Sequence, residues 1–364
     1  MIQWAVWRRL RTAFRHEDII AVQCMALLWL PSITLVLLTL NFSSSVIGRD
    51  FSTFWMAGHA GDNPYGLLAE FVRERGRPSP VIYNFTYPPP VLFLTKLVAE
   101  LPLTFAFLAW NCAGAILFYV AAKPYCPKGF PAVLAVITPA AVVNDNFGQM
   151  GFLVGALWLF AWRGSNLCAA ALAIKPQIGF LVLVKLVRDR RLTGATAWGL
   201  AFVAISTIAF GLNIWSDFIR HIIAFQESYV AKSPIVAWLF QSTTPYVGYG
   251  LFGWICFASA GNLLLARNFN VWTAATATFL ISPYGFHYDM TVVCLGFGIF
   301  CFESWDELAW YEKVLVGLAF AVPALVHFGT WFASPILLGG LWVQSRVRPS
   351  RGAFGSTKTL AEAQ

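Results

Sequence analysis

From Ile19 to Val343 the sequence is a succession of apolar runs, and its Lys and Arg residues cluster at the ends of those runs. Such a chain has few ways to fold in water. With 58% hydrophobic and 12% charged residues and a mean hydropathy of +0.65, it carries too little polar surface to cover a soluble globule. A bilayer must be its main solvent, and in hydrocarbon only structures that pair their own backbone groups survive. The pattern predicts an all-α integral membrane protein. The net charge of +8 follows from topology rather than from a nucleic-acid partner, because the cations flank spans instead of covering a soluble face. The seven cysteines are scattered, without a C-x-x-C pair. They read as small core residues, and neither a metal site nor a disulfide framework is expected.

Arg8, Arg9, Arg11 and Arg15 precede the first run, Ile19 to Leu40. Its length and the lack of an A-x-A site make it an uncleaved first helix, with the N-terminus in the cytoplasm. The segment 41–90 is then a large first outer loop, and loops this long are usually functional or disordered. Tyr87 to Pro102, short, Pro-rich and interrupted by Lys96 and Glu100, reads as an interfacial or re-entrant piece. A full helix from about Leu103 to Ala122 follows. The runs 130–143, 148–162, 166–174 and 176–187 are too short to cross about 30 Å at 1.5 Å per residue without tilting or sinking into protein. Short helices at membrane depth line cavities, so this region is a site candidate. Arg163 and the cluster Arg188, Arg190, Arg191 favour the cytoplasm and push Lys175 outward. Residues 213–246 carry Trp215, Phe218, Ile222 and Phe225 at helical spacing, as expected of an amphipathic outer helix. About twelve membrane helices result, in a single domain over 1–345 with both termini cytoplasmic, and a tail, 346–364, expected to be disordered.

Under this topology the polar residues gather on the outer side. Asp50 follows the first helix; His59, Asp62, Asn63, Tyr65, Asn84 and Tyr87 share the first loop; Asn144, Asp145, Gln149, Lys175, His287 and Asp289 lie at outer helix ends. An ionisable group in the membrane is expensive and marks function by default. Asp50 is either a reactive carboxylate or a helix-end partner of Arg49. Lys175 is either a point charge for a phosphate or a snorkelling lysine. Gln149, Asn144 and Asn146 either bind hydroxyls and phosphate or cap short helices. Tyr65 and Tyr87 stack on a sugar ring or seat the loop on the bilayer. His287 and Asp289 assist a substrate or form a loop pair, and His59 and Asp62 equally suit loop architecture around Asn63-Pro64-Tyr65.

The ordered set Asp50 with Phe51-Ser52-Thr53-Phe54-Trp55-Met56-Ala57-Gly58, Asn63-Pro64-Tyr65, Phe85-Thr86-Tyr87-Pro88-Pro89, Asn146-Phe147-Gly148-Gln149, Ala173-Ile174-Lys175-Pro176-Gln177, Ser282-Pro283-Tyr284 and Tyr288-Asp289 resembles glycosyltransferase family 87. The resemblance implies a GT-C type multi-helix fold. It also implies transfer of a monosaccharide, mannose- or arabinofuranose-like, from a polyprenyl-phosphate carrier to a lipid or glycan acceptor on the outer face of a bacterial inner membrane. No cofactor is expected, and His287 and Asp289 match no metal signature that would predict a metal. In the family the Asp after the first helix is the catalytic carboxylate, a role carried here onto Asp50. Lys175, Gln149 and His287 would then hold the donor phosphate, and Tyr65, Tyr87, Asn144, Asp289 and His59 the substrate. Independently of the family, such a transfer needs a carboxylate to take the acceptor proton and a cation to stabilise the departing phosphate. The rival class is a transporter or flippase of a lipid-linked substrate. It predicts inverted repeats and a path open to both faces, and the sequence shows no such symmetry.

Overall fold

The computed structural model describes residues 49–60, 64–65, 85–225 and 243–346. The expected first helix, most of the first outer loop with Asp62, Asn63 and Asn84, residues 226–242 and the tail beyond Arg346 lie outside them. Among the described residues there are helices and turns and no strand. In chain order the α-helices are α1 Arg49–His59, α2 Leu92–Ala99, α3 Leu103–Ala122, α4 Pro139–Phe147, α5 Gly151–Arg163, α6 Asn166–Ala171 and α7 Pro176–Arg188. They continue as α8 Leu192–Phe210, α9 Ile214–Phe225, α10 Pro245–Arg267, α11 Val271–Ile281, α12 Thr291–Ser304, α13 Trp310–Leu325 and α14 Ala333–Arg346.

Four segments are long and apolar enough to cross a membrane: Leu103–Tyr125, Leu192–Phe210, Gly248–Arg267 and Trp310–Phe328. Two of them, built on α8 and α10, bury little against the rest of the protein and turn apolar side chains outward, among them Ile208 and Phe252, each more than four-fifths exposed. A helix apolar on its outer face needs lipid around it. The chain is a helical membrane protein.

The short runs are short helices, and their ends explain why. Thr138 caps α4, accepting from the Ala141 N–H at 3.3 Å, with Pro139 in the first turn. Gly148, at φ 65°, stops it. Ser165 caps α6 and Asn270 with Thr273 forms a capping box on α11. Each cap satisfies amides that would otherwise be orphaned in an apolar setting. The Pro-rich stretch after Tyr87, expected as an interfacial or re-entrant piece, forms α2, eight residues long after a Pro-containing 3-10 turn.

The core is built on α11 and α12. Val271 through Leu280 and Thr291 through Cys301 are buried all round, as expected of helices surrounded by protein rather than lipid. Because lipid is as apolar as leucine, close packing and not water exclusion holds these helices together, and it favours small residues at the contacts. At Gly340 of α14 an added Cβ would lie 2.7 Å from the Ala319 Cβ of α13. Glu312, buried in the first turn of α13, accepts from the Ala309 N–H at 3.0 Å and from Arg346 of α14 at 2.8 Å, tying the last two helices together.

Candidate active site

Four breaks between helices converge with the start of α1. One is the turn at Gly148–Met150 between α4 and α5. A second is Lys175, extended (φ −137°, ψ 74°) between the 3-10 turn Leu172–Ile174 and α7. A third is the 3-10 turn His287–Asp289 between α11 and α12. The segment Phe85–Pro88 ahead of α2 closes the group.

The αL conformation at Gly148, which a side chain would strain, reverses the chain after α4. It also lets the backbone come so close to α1 that an added Cβ would sit 2.5 Å from the Phe51 Cβ. The reversal aims Gln149 at Asp50. Gln149 Nε2 donates to Asp50 Oδ2 at 2.7 Å, and Gln149 Oε1 accepts from the Tyr87 hydroxyl at 3.0 Å. The Tyr65 hydroxyl donates to the Tyr87 carbonyl at 3.0 Å. Both tyrosines are thus committed to the same polar chain as Asp50. Their rings, with Phe85, Phe54 and Trp110, form an aromatic floor under it: Phe54 stacks on Trp110 at 5.2 Å and lies 4.9 Å from Tyr87. Burial, and then the carboxylates of Asp289 and Asp50, push the Tyr87 phenol well above its ordinary range. It remains a donor at any physiological pH.

On the other side of Tyr87 lies a buried ion pair. Lys175 Nζ is 2.7 Å from Asp289 Oδ1, and the side chains are 6% and 1% exposed. The ammonium also sits 4.9 Å from the Tyr288 ring and 5.6 Å from the Tyr87 ring. Two π faces and a carboxylate offset the desolvation of the buried ammonium. Lys175 stands at the N-terminus of α7, whose dipole adds positive character rather than cancelling it. The place is electropositive by construction, with one carboxylate already drawn to it.

His287 is buried beside this pair, 5.9 Å ring to ring from Phe147 and 5.2 Å from His327. Asn144, fully buried, uses Oδ1 to accept from the Gly151 N–H at 2.6 Å. It thereby pins the first turn of α5, the capping alternative for this residue. Gly151 is squeezed in turn, since a Cβ there would fall 2.0 Å from the Tyr288 carbonyl oxygen. His59 is not brought to the group. It ends α1, nine residues and roughly 13 Å from Asp50, exposed, with Nδ1 2.9 Å from the Trp55 carbonyl.

The structure adds residues that sequence reasoning did not select. Tyr288 carries the nearer π face over Lys175, and Tyr284, 39% exposed, packs edge-on to Phe286 at 4.8 Å on the same loop. Both stood inside quoted motifs, which was the available signal. His327 and Trp110 had none, being single residues in apolar runs. Among the described residues no three His, Cys, Asp or Glu side chains come together as metal ligands would.

The arrangement sets an oriented carboxylate, Asp50, at one end and a buried ammonium, Lys175, at the other; Gln149 and Tyr87 lie between, hydrogen-bonded to Asp50 on one side and meeting the ammonium through the Tyr87 ring at 5.6 Å on the other. A model of glycosyltransferase family 87 matches residues 85–283, more than half of the chain. That span contains Tyr87, Asn144, Gln149 and Lys175. No curated protein and no solved structure gives a match.

Proposed function

The chain belongs to glycosyltransferase family 87, and from that premise we propose that it moves a monosaccharide, mannose- or arabinofuranose-like, from a polyprenyl-phosphate carrier to a lipid or glycan acceptor. The observation that carries this reading is the pair of groups joined through Gln149 and Tyr87, a carboxylate at one end and a cation at the other. Asp50 takes the proton of the acceptor hydroxyl as its oxygen attacks the anomeric carbon. The bond from that carbon to the donor phosphate breaks, and its electrons leave with the polyprenyl phosphate. One displacement on one face inverts the anomeric centre.

Lys175 meets the charge that develops on the departing phosphate, and His287 beside it and Gln149 between the two ends are the further groups we assign to that phosphate. For that the ammonium must turn part of its attention from Asp289 to the phosphate, a stronger polyanion. Tyr65, Tyr87, Asn144 and Asp289 are the residues we assign to the sugar side of the substrate; His59, at the far end of α1, is left out of it. Of these, Tyr65, Tyr87 and Asn144 act through the chain and turn they hold. We read the whole as a GT-C type bundle of about twelve membrane helices in a bacterial inner membrane, both termini cytoplasmic and Asp50 on the outer face. The four long apolar segments, the short buried helices and the amphipathic α9 support that reading.

The test is transfer of radiolabelled sugar from a panel of polyprenyl-phosphate donors into a membrane lipid extract, comparing wild type with Asp50→Asn. Transfer that falls by about 10²–10⁴-fold in a folded variant is expected for loss of a positioned base. An Asp50→Asn enzyme as active as wild type would remove Asp50 from the mechanism.

A further inference from the structure

Behind the ion pair, between α5, α7, α11 and α12, lies a small cavity lined by Trp158, Ile178, Thr278, Asp289 and Val292, with room for about one water molecule. Its wall is otherwise aliphatic or aromatic. Two polar atoms of lining residues have no hydrogen-bond partner among the described residues: Asp289 Oδ2, the oxygen turned away from Lys175, and the indole Nε1 of Trp158. Trp158 is 2% exposed and Asp289 4%. A buried carboxylate oxygen or indole N–H left without a partner bears its full desolvation penalty. Such atoms are few in native proteins, and the two side chains that carry these line the same cavity.

We propose that this cavity is an internal water site in which a single ordered water accepts from Trp158 Nε1 and donates to Asp289 Oδ2 and to Thr278 Oγ1. The hydroxyl of Thr278 already donates to the Ala274 carbonyl at 2.9 Å, so its oxygen is available as an acceptor. The count closes: one bond accepted and two donated gives the three that buried waters typically make. An apolar occupant would leave the carboxylate oxygen and the indole unsatisfied. A cation would face one carboxylate already paired with Lys175 and the edge of an indole donor.

The site makes Trp158 a positioning residue. Through the water it holds the second oxygen of Asp289, so that the carboxylate stays ionised and keeps one fixed rotamer when Lys175 moves between Asp289 and another anion. This inference stands whether or not sugar transfer is the reaction.

The first test is a map of the full chain in lipid nanodiscs at a resolution that shows buried waters. A peak within hydrogen-bonding distance of Trp158 Nε1, Asp289 Oδ2 and Thr278 Oγ1 is expected. A featureless cavity in a map that shows other buried waters overturns the proposal. The second is infrared titration of the Asp289 carboxyl band, assigned by its loss in Asp289→Asn. The charged and titratable groups that act with Asp289 are Lys175 on α7, Tyr87 ahead of α2, and Tyr284 and Tyr288 on its own loop, with His287 two residues before it. None of them changes in Trp158→Phe, which keeps the aromatic volume and removes the N–H. Protonation of Asp289 should then move to higher pH by about one unit, the worth of one hydrogen bond to a charged group. An unchanged midpoint overturns the bridging role. If Trp158→Phe does not fold, the wild-type map decides alone.

Discussion

Gln149 Nε2 lies 2.7 Å from Asp50 Oδ2, while its Oε1 takes the proton-bearing hydroxyl of Tyr87 at 3.0 Å. A primary amide donates at one end and accepts at the other while staying neutral at every pH, so Gln149 helps orient the carboxylate without adding charge to it. Gln149→Leu should leave the Tyr87 hydroxyl without its acceptor and remove one of the bonds that orient Asp50. Transfer is expected to drop by about 10–100-fold, corresponding to a lost bond of about 1.5–3 kcal/mol to a charged group. Gln149→Glu is more informative: two carboxylates at this distance cannot both ionise easily, so one takes up a proton at higher pH. The acid limb of the rate–pH profile should move upward, and kinetics across a pH series would show it.

The ion pair of Lys175 and Asp289 should behave as buried pairs do. Lys175→Met alone strands a buried carboxylate and should cost about 3–5 kcal/mol. The double variant Lys175→Met, Asp289→Leu removes both charges and should recover much of that loss in thermal unfolding in detergent, while remaining inactive if Lys175 meets the phosphate. A double variant no more stable than the single would mean that the pair is not coupled.

Gly151→Ala tests the tightest contact in the site. The added methyl falls 2.0 Å from the Tyr288 carbonyl oxygen and 2.7 Å from Asn144 Oδ1, both of them held by their own elements. The turn His287–Asp289 must shift, and catalysis is expected to suffer more than stability, since a displacement near 1 Å can cost about 10²-fold. Equal turnover in the alanine variant would show that this turn moves freely.

The contact between α9 and Pro64–Tyr65 should depend on pH through His221. Its ring lies 5.8 Å from Tyr65, and burial lowers its pKa below the usual 6.5, a shift only partly opposed by the Tyr65 backbone. The unfolded chain then binds the proton first, so this stabilising contribution is complete above about pH 6.5 and declines as pH falls through the folded value. Proteolysis of α9 should accelerate between neutral and mildly acidic pH in wild type, and His221→Gln should flatten that dependence.

Much of the site was legible because the chemistry-bearing residues sit at breaks between apolar runs. Asp50, Gln149, Tyr87, Lys175 and Asp289 were each visible as polar or charged groups at such breaks, and the structure joins them in one network. What the sequence did not carry was their pairing. Nothing local says that Lys175 answers to Asp289 rather than to a headgroup, or that Asn144 spends its oxygen on the first amide of α5. By sequence His59 groups with the first outer loop and the substrate, yet it closes the helix that Asp50 opens, and the length of α1 separates the two. Trp158 was one of 16 tryptophans in an apolar run. Only the convergence of four helices around its indole N–H distinguishes it.

The two central contacts join residues 99 and 114 positions apart, Asp50 with Gln149 and Lys175 with Asp289. Biogenesis therefore cannot complete the site piecemeal. As the chain enters the bilayer, α7 must be handled with an uncompensated ammonium at its head until the turn before α12 arrives. A chain cut off ahead of Asp289 keeps that ammonium unmatched and presents it to membrane quality control as a degradation signal. In a pulse-chase comparison, a truncation ending just before Asp289 should be cleared faster than the same truncation carrying Lys175→Met.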